Sequence, residues 1–86
     1  MSFIKDKVFT FCGSIRSLLD MQVDMEGEAC CITLRDHPDD EPSPKCRAEA
    51  RRIVEMLKER YADTISINAD TCDEWIFIYV REKVAV

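Results

Sequence analysis

The sequence DEWIFIYVRE, residues 73–82, contains an uninterrupted apolar run between charged ends. The run is too short for a typical helix and suits a β-strand. Because side chains of a strand alternate between two faces, the aromatic and aliphatic residues of the run separate. One face carries Trp75, Phe77 and Tyr79. The other carries Ile76, Ile78 and Val80, so both faces are apolar and each needs cover.

The chain is small, which limits how much cover it can supply. Its 86 residues, 47% of them hydrophobic, predict one compact domain over residues 1–86. A domain of this length buries only about 60–65% of the surface of its unfolded chain, so an additional interface would help it. The net charge of −5 disfavours unspecific binding to polyphosphates or anionic lipids.

Cysteine usage and the first residues indicate a compartment. Five cysteines are an odd number, and the start MSFIKDK has no apolar run of signal-peptide length. No segment approaches the roughly 20 apolar residues of a membrane span. We therefore expect a cytoplasmic protein without a disulfide framework, and we predict no cofactor.

Two segments have the apolar spacing of amphipathic helices. The first covers residues 3–20, with Ser2 as its N-cap, and its predicted buried stripe consists of Ile4, Val8, Phe11, Cys12, Ile15, Leu18 and Leu19. The second follows an acidic, proline-rich loop at 37–44, with Ser43 as N-cap and Pro44 at the first helical position. Its predicted stripe consists of Cys46, Ala50, Ile53, Val54, Leu57 and Tyr61.

A β-hairpin follows each predicted helix. In the first hairpin Val23 and Met25 alternate with polar residues, a turn falls at Glu26 and Gly27, and a strand resumes over 29–35. In the second, TISIN at 64–68 leads through a loop at 69–73 into the opening strand. The order αββαββ predicts an α+β two-layer sandwich, with two helices on one face of a four-stranded antiparallel sheet.

The two halves of the chain resemble each other weakly. ITLRD at 32–36 and IYVRE at 78–82 end their halves in the same way. We interpret this as a pseudo-repeat with halves 1–36 and 43–82, joined by the acidic loop 37–44.

The predicted architecture leaves one sheet face without helices. If the aliphatic residues lie beneath the helices, then Trp75, Phe77 and Tyr79 point outward, with Arg35 and Arg81 nearby. Three adjacent aromatic side chains can form an apolar patch of several hundred Å², which soluble monomers usually hide or use. Helices on opposite faces, or the tail EKVAV folded over the patch, would instead cover these rings within the subunit.

Three kinds of partner fit the aromatic face. A second copy would give a homodimer, and a different protein would make the chain a small regulator, inhibitor or accessory subunit. The alternative is a single-stranded nucleic acid or a small aromatic ligand stacked on the rings. Nucleic acid is the less favoured partner because few basic residues lie near the strand. A separate charged contact with a partner, on the second helix at Arg47, Arg51 and Lys58, is a further hypothesis.

The remaining motifs carry little chemistry. A metal-assisted enzyme using Asp36, His37 and Asp39 is the third hypothesis, but one histidine in an acidic loop does not specify a metal, and we predict no metal site. Cys72, placed in the predicted loop, is the best candidate for a reactive thiol. No phosphate-binding glycine loop or catalytic motif is present, so we predict a protein that is not an enzyme.

Overall fold

The computed structural model describes residues 4–83, so the predicted N-cap Ser2 and the end of the tail, 84–86, lie outside the described residues. A π-helical segment, Ile4–Val8, runs directly into helix α1, Phe9–Ser14. The first hairpin consists of β1, Asp20–Glu26, and β2, Ala29–Arg35. Helix α2, Pro44–Tyr61, ends in a 3₁₀ turn, Ala62–Thr64, and the second hairpin consists of β3, Ile65–Cys72, and β4, Trp75–Glu82. The predicted order αββαββ is confirmed.

Helix α1 is shorter than the predicted segment 3–20. The residue after it, Ile15, has extended backbone, with φ −69° and ψ 131°. Gly13 lowers helix propensity there, and the Ser14 hydroxyl donates a 2.6 Å hydrogen bond to a carbonyl of the preceding turn. Both features favour an end at this position.

The early end of α1 changes which side chains are buried. Ile15 and Leu19 are buried as predicted, but Leu18 is 96% exposed, so its place in the predicted stripe is wrong. The segment 15–19 is not helical, and the helical periodicity that would place Leu18 on the same face as its neighbours does not apply.

Helix α2 begins as predicted. The Ser43 hydroxyl accepts a 3.0 Å hydrogen bond from the backbone N–H of Cys46, and Pro44 occupies the first helical position. Four residues of its predicted stripe are buried, namely Cys46, Ala50, Ile53 and Leu57. Val54 and Tyr61 are partly buried at the border of the core.

We expect Ser43→Ala to lower the free energy of unfolding by about 1 kcal/mol, because it removes the acceptor of an otherwise unpaired helix N–H. Urea unfolding monitored by circular dichroism measures the loss. Ser66→Ala, at an exposed position of β3, is the control and should change stability by less than about 0.5 kcal/mol. Equal unfolding midpoints for the two variants would contradict the stabilising role of the cap.

All neighbouring strands of the sheet are antiparallel, in the order β1-β2-β4-β3. Gly27, with φ 62°, begins the two-residue turn of the first hairpin, a conformation that glycine adopts without strain. The predicted loop 69–73 is wrong, because β3 continues to Cys72 and the turn contains only Asp73 and Glu74. Asp73, with φ 52°, takes the position that Gly27 holds in the first hairpin.

The two hairpins have matching registers. Val23 pairs with Ile32 in the first, and Ala69 pairs with Ile78 at the corresponding position of the second. Ile32 and Ile78, which are equivalent in ITLRD and IYVRE, are themselves partners where β2 meets β4. The pseudo-repeat with halves 1–36 and 43–82 stays a prediction.

Both helices lie on one face of the sheet and form a single core with it. The core contains the buried helix residues and the aliphatic side chains of the central strands, including Ile32, Leu34, Ile76, Ile78 and Val80. Cys12 and Cys30 share a hydrogen bond in this core, which together with burial raises the pKa of Cys12 above its ordinary value. The predicted two-layer sandwich is confirmed.

Candidate binding face of the sheet

The sheet face opposite the helices, which we call the open face, carries the aromatic residues of β4. Strand alternation places Trp75, Phe77 and Tyr79 there, because Ile76, Ile78 and Val80 pack under the helices. All three aromatic side chains are partly buried although neither helix covers them. The stacking of the three rings on one another contributes to this burial.

The three rings form a row, which we call the aromatic strip (Trp75, Phe77 and Tyr79). The ring centroids of Trp75 and Phe77 are 6.5 Å apart, and those of Phe77 and Tyr79 are 6.4 Å apart. The ring planes are nearly parallel, at 30° and 17°. These separations match the spacing of alternate residues on a strand. The strip is thus held in place by the sheet, and a partner would meet an ordered surface.

Arg35 lies at the Trp75 end of the strip. Its guanidinium is 4.6 Å from the centroid of the Trp75 ring, a cation–π contact. Two carboxylates hold it there, with N–O distances of 3.3 Å to Asp20 and 3.7 Å to Glu74. The sequence predicts Arg35 as a partner contact, and the structure places it beside Trp75. Arg81 is exposed on the same face, beyond Tyr79.

Carboxylates flank the strip, a feature that our sequence analysis missed. Strand pairing places Asp24 beside Cys31 and Asp70 beside Phe77, both on the open face. The pKa of Tyr79 is raised by partial burial and by neighbouring acidic groups that include Glu26 and Asp70. The alternation of acids in DMQVDME, residues 20–26, was the signal that could have revealed this flank.

The charged edge of α2 is not part of the open face. Arg47, Arg51 and Lys58 are exposed on the helix layer, on the other side of the sheet from the strip. None of the three forms an ion pair within residues 4–83. They remain a separate basic surface.

The structure brings His37 together with two carboxylates. Its Nδ1 is 3.2 Å from Asp36 and its Nε2 is 3.9 Å from Asp39, while the Ser43 hydroxyl donates to Asp36 over 3.1 Å. Both ring nitrogens therefore face carboxylates. No group of three or more potential metal ligands occurs in the part of the chain that the structure describes.

Two cysteines belong to the open face. Cys72 is exposed and pairs with Trp75 at the end of the second hairpin, so its predicted place in a loop is wrong. Cys31 pairs with Tyr79 and is only 5% exposed, and this burial raises the pKa of its thiol.

A second exposed apolar feature lies beside α2, away from the open face. Leu18 borders a groove of about 330 Å³, whose lining residues are Leu18, Leu19, Lys45, Ala48, Glu49 and Arg52. Glu49 of α2 accepts hydrogen bonds from the Ser17 hydroxyl and from Arg52, and so connects the segment beside Leu18 to this helix. The groove is therefore supported by a fixed polar contact between distant parts of the chain.

Comparison with known proteins adds no relative: the sequence matches no protein-family model, no curated protein and no solved structure. Over residues 4–83, no helix has the length and apolar character that crossing a bilayer requires.

Proposed function

We propose that this protein acts by binding another protein through the open face of its sheet, as a small regulator, inhibitor or accessory subunit. The observation that carries this proposal is the aromatic strip, three ordered rings on a face that neither helix covers. Trp and Tyr are among the side chains that contribute most to the free energy of binding at protein interfaces.

The alternative partners would use the same rings, but the charge around the strip disfavours a nucleic acid. Single-stranded nucleic acids bind where aromatic rings lie in a positively charged groove. Here the rings are flanked by Asp24, Glu26 and Asp70, which repel phosphates. A small aromatic ligand, which need not carry negative charge, would not meet this repulsion.

A homodimer through this face meets a related difficulty. A second copy placed face to face would bring the carboxylates of β1 against carboxylates of its partner, and like charges at an interface oppose association. The apolar strip would still favour the contact. We therefore place a different protein first and the homodimer second.

The test of this function is Phe77→Asp, which puts a charge in the centre of the strip. We expect the variant to keep its far-ultraviolet circular dichroism and to lose the partner, which is measured by capture on immobilised wild-type and variant protein. If wild type is a dimer by light scattering, the variant should be a monomer.

The control is Ala48→Asp, which adds the same charge at an exposed position of α2. It should retain both partner capture and solution mass. A folded Phe77→Asp variant that captures the same proteins as wild type and has the same mass would refute the proposed function.

A further inference from the structure

We propose that the open face receives a cationic segment of its partner, whose basic side chains pair with the carboxylates that flank the aromatic strip. This inference rests on the proposed function and specifies the chemistry of the partner. It follows from the distribution of charge over the face and from a guanidinium site that the chain already contains.

The existing guanidinium site is at the Trp75 end of the strip. There Arg35 combines a ring contact of 4.6 Å with ion pairs to Asp20 and Glu74, at 3.3 and 3.7 Å. A guanidinium has flat, weakly hydrated faces, which stack on an aromatic ring, and charged N–H groups, which pair with carboxylates. This site shows the geometry by which the strip binds such a group.

The rest of the strip also has carboxylates on both sides, and it ends beyond Tyr79 at the exposed Arg81. Asp70 of β3 pairs with Phe77, whereas Glu26 lies on β1 opposite Ala29, so the two carboxylates are on opposite sides of β4. Within residues 4–83 neither carboxylate forms an ion pair, and the hydrogen bond of Asp70 is with the backbone N–H of Thr71. Basic groups from outside the chain can therefore pair with each of these two carboxylates, as Arg35 pairs with Asp20 and Glu74 at the Trp75 end.

The open face as a whole carries an excess of negative charge. The strand residues that point to it carry four carboxylates, Asp20, Asp24, Glu26 and Asp70, against the two guanidinium groups of Arg35 and Arg81. Such a face accelerates association with a basic segment and rejects an acidic one. A second copy of this chain, which presents the same excess of acid, lacks that complementarity.

Binding at the strip can be measured by the fluorescence of Trp75, because Trp75 is the sole tryptophan of the chain. The probes are hexaarginine and hexaglutamate peptides, each able to span about 20 Å when extended and so to reach from Trp75 past Tyr79. We expect hexaarginine to change the Trp75 fluorescence in a saturable manner, with an affinity that falls as salt is raised. Hexaglutamate should have no effect.

Two matched double variants distinguish the effect of the carboxylates on the open face from the effect of the net charge of the chain. Glu26→Gln with Asp70→Asn removes two carboxylates that flank the strip, one on each side of β4, and we expect hexaarginine to bind about fivefold more weakly or worse. Asp40→Asn with Glu41→Gln removes the same charge from the exposed loop before α2, and binding should stay within about twofold of wild type.

Three results would overturn the inference. The first is an unchanged Trp75 signal with hexaarginine at low salt, and the second is equal weakening by the two double variants. The third is a signal from oligothymidylate that matches that from hexaarginine, which would assign the face to nucleic acid. The Phe77→Asp experiment tests the proposed function independently. If partner capture or dimer mass depends on Phe77, protein binding through the open face stands even when hexaarginine does not bind.

Discussion

Ile78→Ala is expected to lower the free energy of unfolding by about 3–4 kcal/mol, whereas Phe77→Ala, at the next position of β4, should lower it by about 1–2 kcal/mol. Ile78 is fully buried under the helices, so truncation leaves a cavity in the core. Phe77 is partly exposed on the open face and loses mainly its contacts with the rings of Trp75 and Tyr79.

The loss at Ile78 is large for a domain of this size. A chain of 86 residues has a total stability of about 4–13 kcal/mol. The melting temperature of Ile78→Ala should therefore fall by about 12–25 °C. Urea and thermal unfolding, both followed by circular dichroism, measure the two variants side by side. If Phe77→Ala proved as destabilising as Ile78→Ala, this result would contradict the partial exposure of the strip, because it would indicate that Phe77 is buried within the subunit.

Glu49→Ala has the second largest expected effect, a loss of about 2–3 kcal/mol. The Glu49 side chain is 16% exposed and accepts hydrogen bonds from the Ser17 hydroxyl, at 2.6 Å, and from the Arg52 guanidinium. Arg52 also donates to the backbone carbonyl of Arg16 over 3.1 Å. Removal of the carboxylate releases the segment between α1 and β1 from α2.

The contribution of Glu49 should also depend on pH. The hydrogen bonds from Arg52, and next from Ser17, lower the pKa of this carboxyl below its ordinary value. Its lowered folded-state pKa means that the stabilisation is complete above the pKa of the unfolded chain, near 4.3, and is lost as the pH falls through the folded value. Urea unfolding between pH 7 and pH 3 should therefore show wild type and Glu49→Gln converging in stability at the acidic end.

The control for Glu49 is Glu59→Gln, at an exposed position of the same helix. It should follow wild type over the whole pH range. A constant difference between wild type and Glu49→Gln from pH 7 to pH 3 would contradict the assigned role of the ionised carboxylate.

Much of the fold could be predicted from the sequence because its signals are local. Helix α2 combines a stripe of apolar residues with a cap at Ser43 and proline at Pro44, and all three agree. In β4 the aliphatic residues occupy every second position, which was enough to assign Ile76, Ile78 and Val80 to the core.

The errors arose where distant residues decide the outcome. The segment that exposes Leu18 is held by Ser17 and Glu49, which lie 32 residues apart in the chain. The continuation of β3 to Cys72 depends on pairing with β4, since the sequence ADTC alone resembles a loop. The acidic flank of the strip emerges only when the strand order places β1 and β3 at the two edges of the sheet.

The position of Cys72 has a practical consequence. All five cysteines lie within the described residues, and Cys72 is the one whose thiol is exposed, beside Trp75 at the end of the strip. A maleimide dye or a nitroxide would therefore attach to the native chain at this single site, next to the proposed contact surface. The molecule thus carries its own spectroscopic handle, and occupancy of that surface can be followed without introducing a new residue.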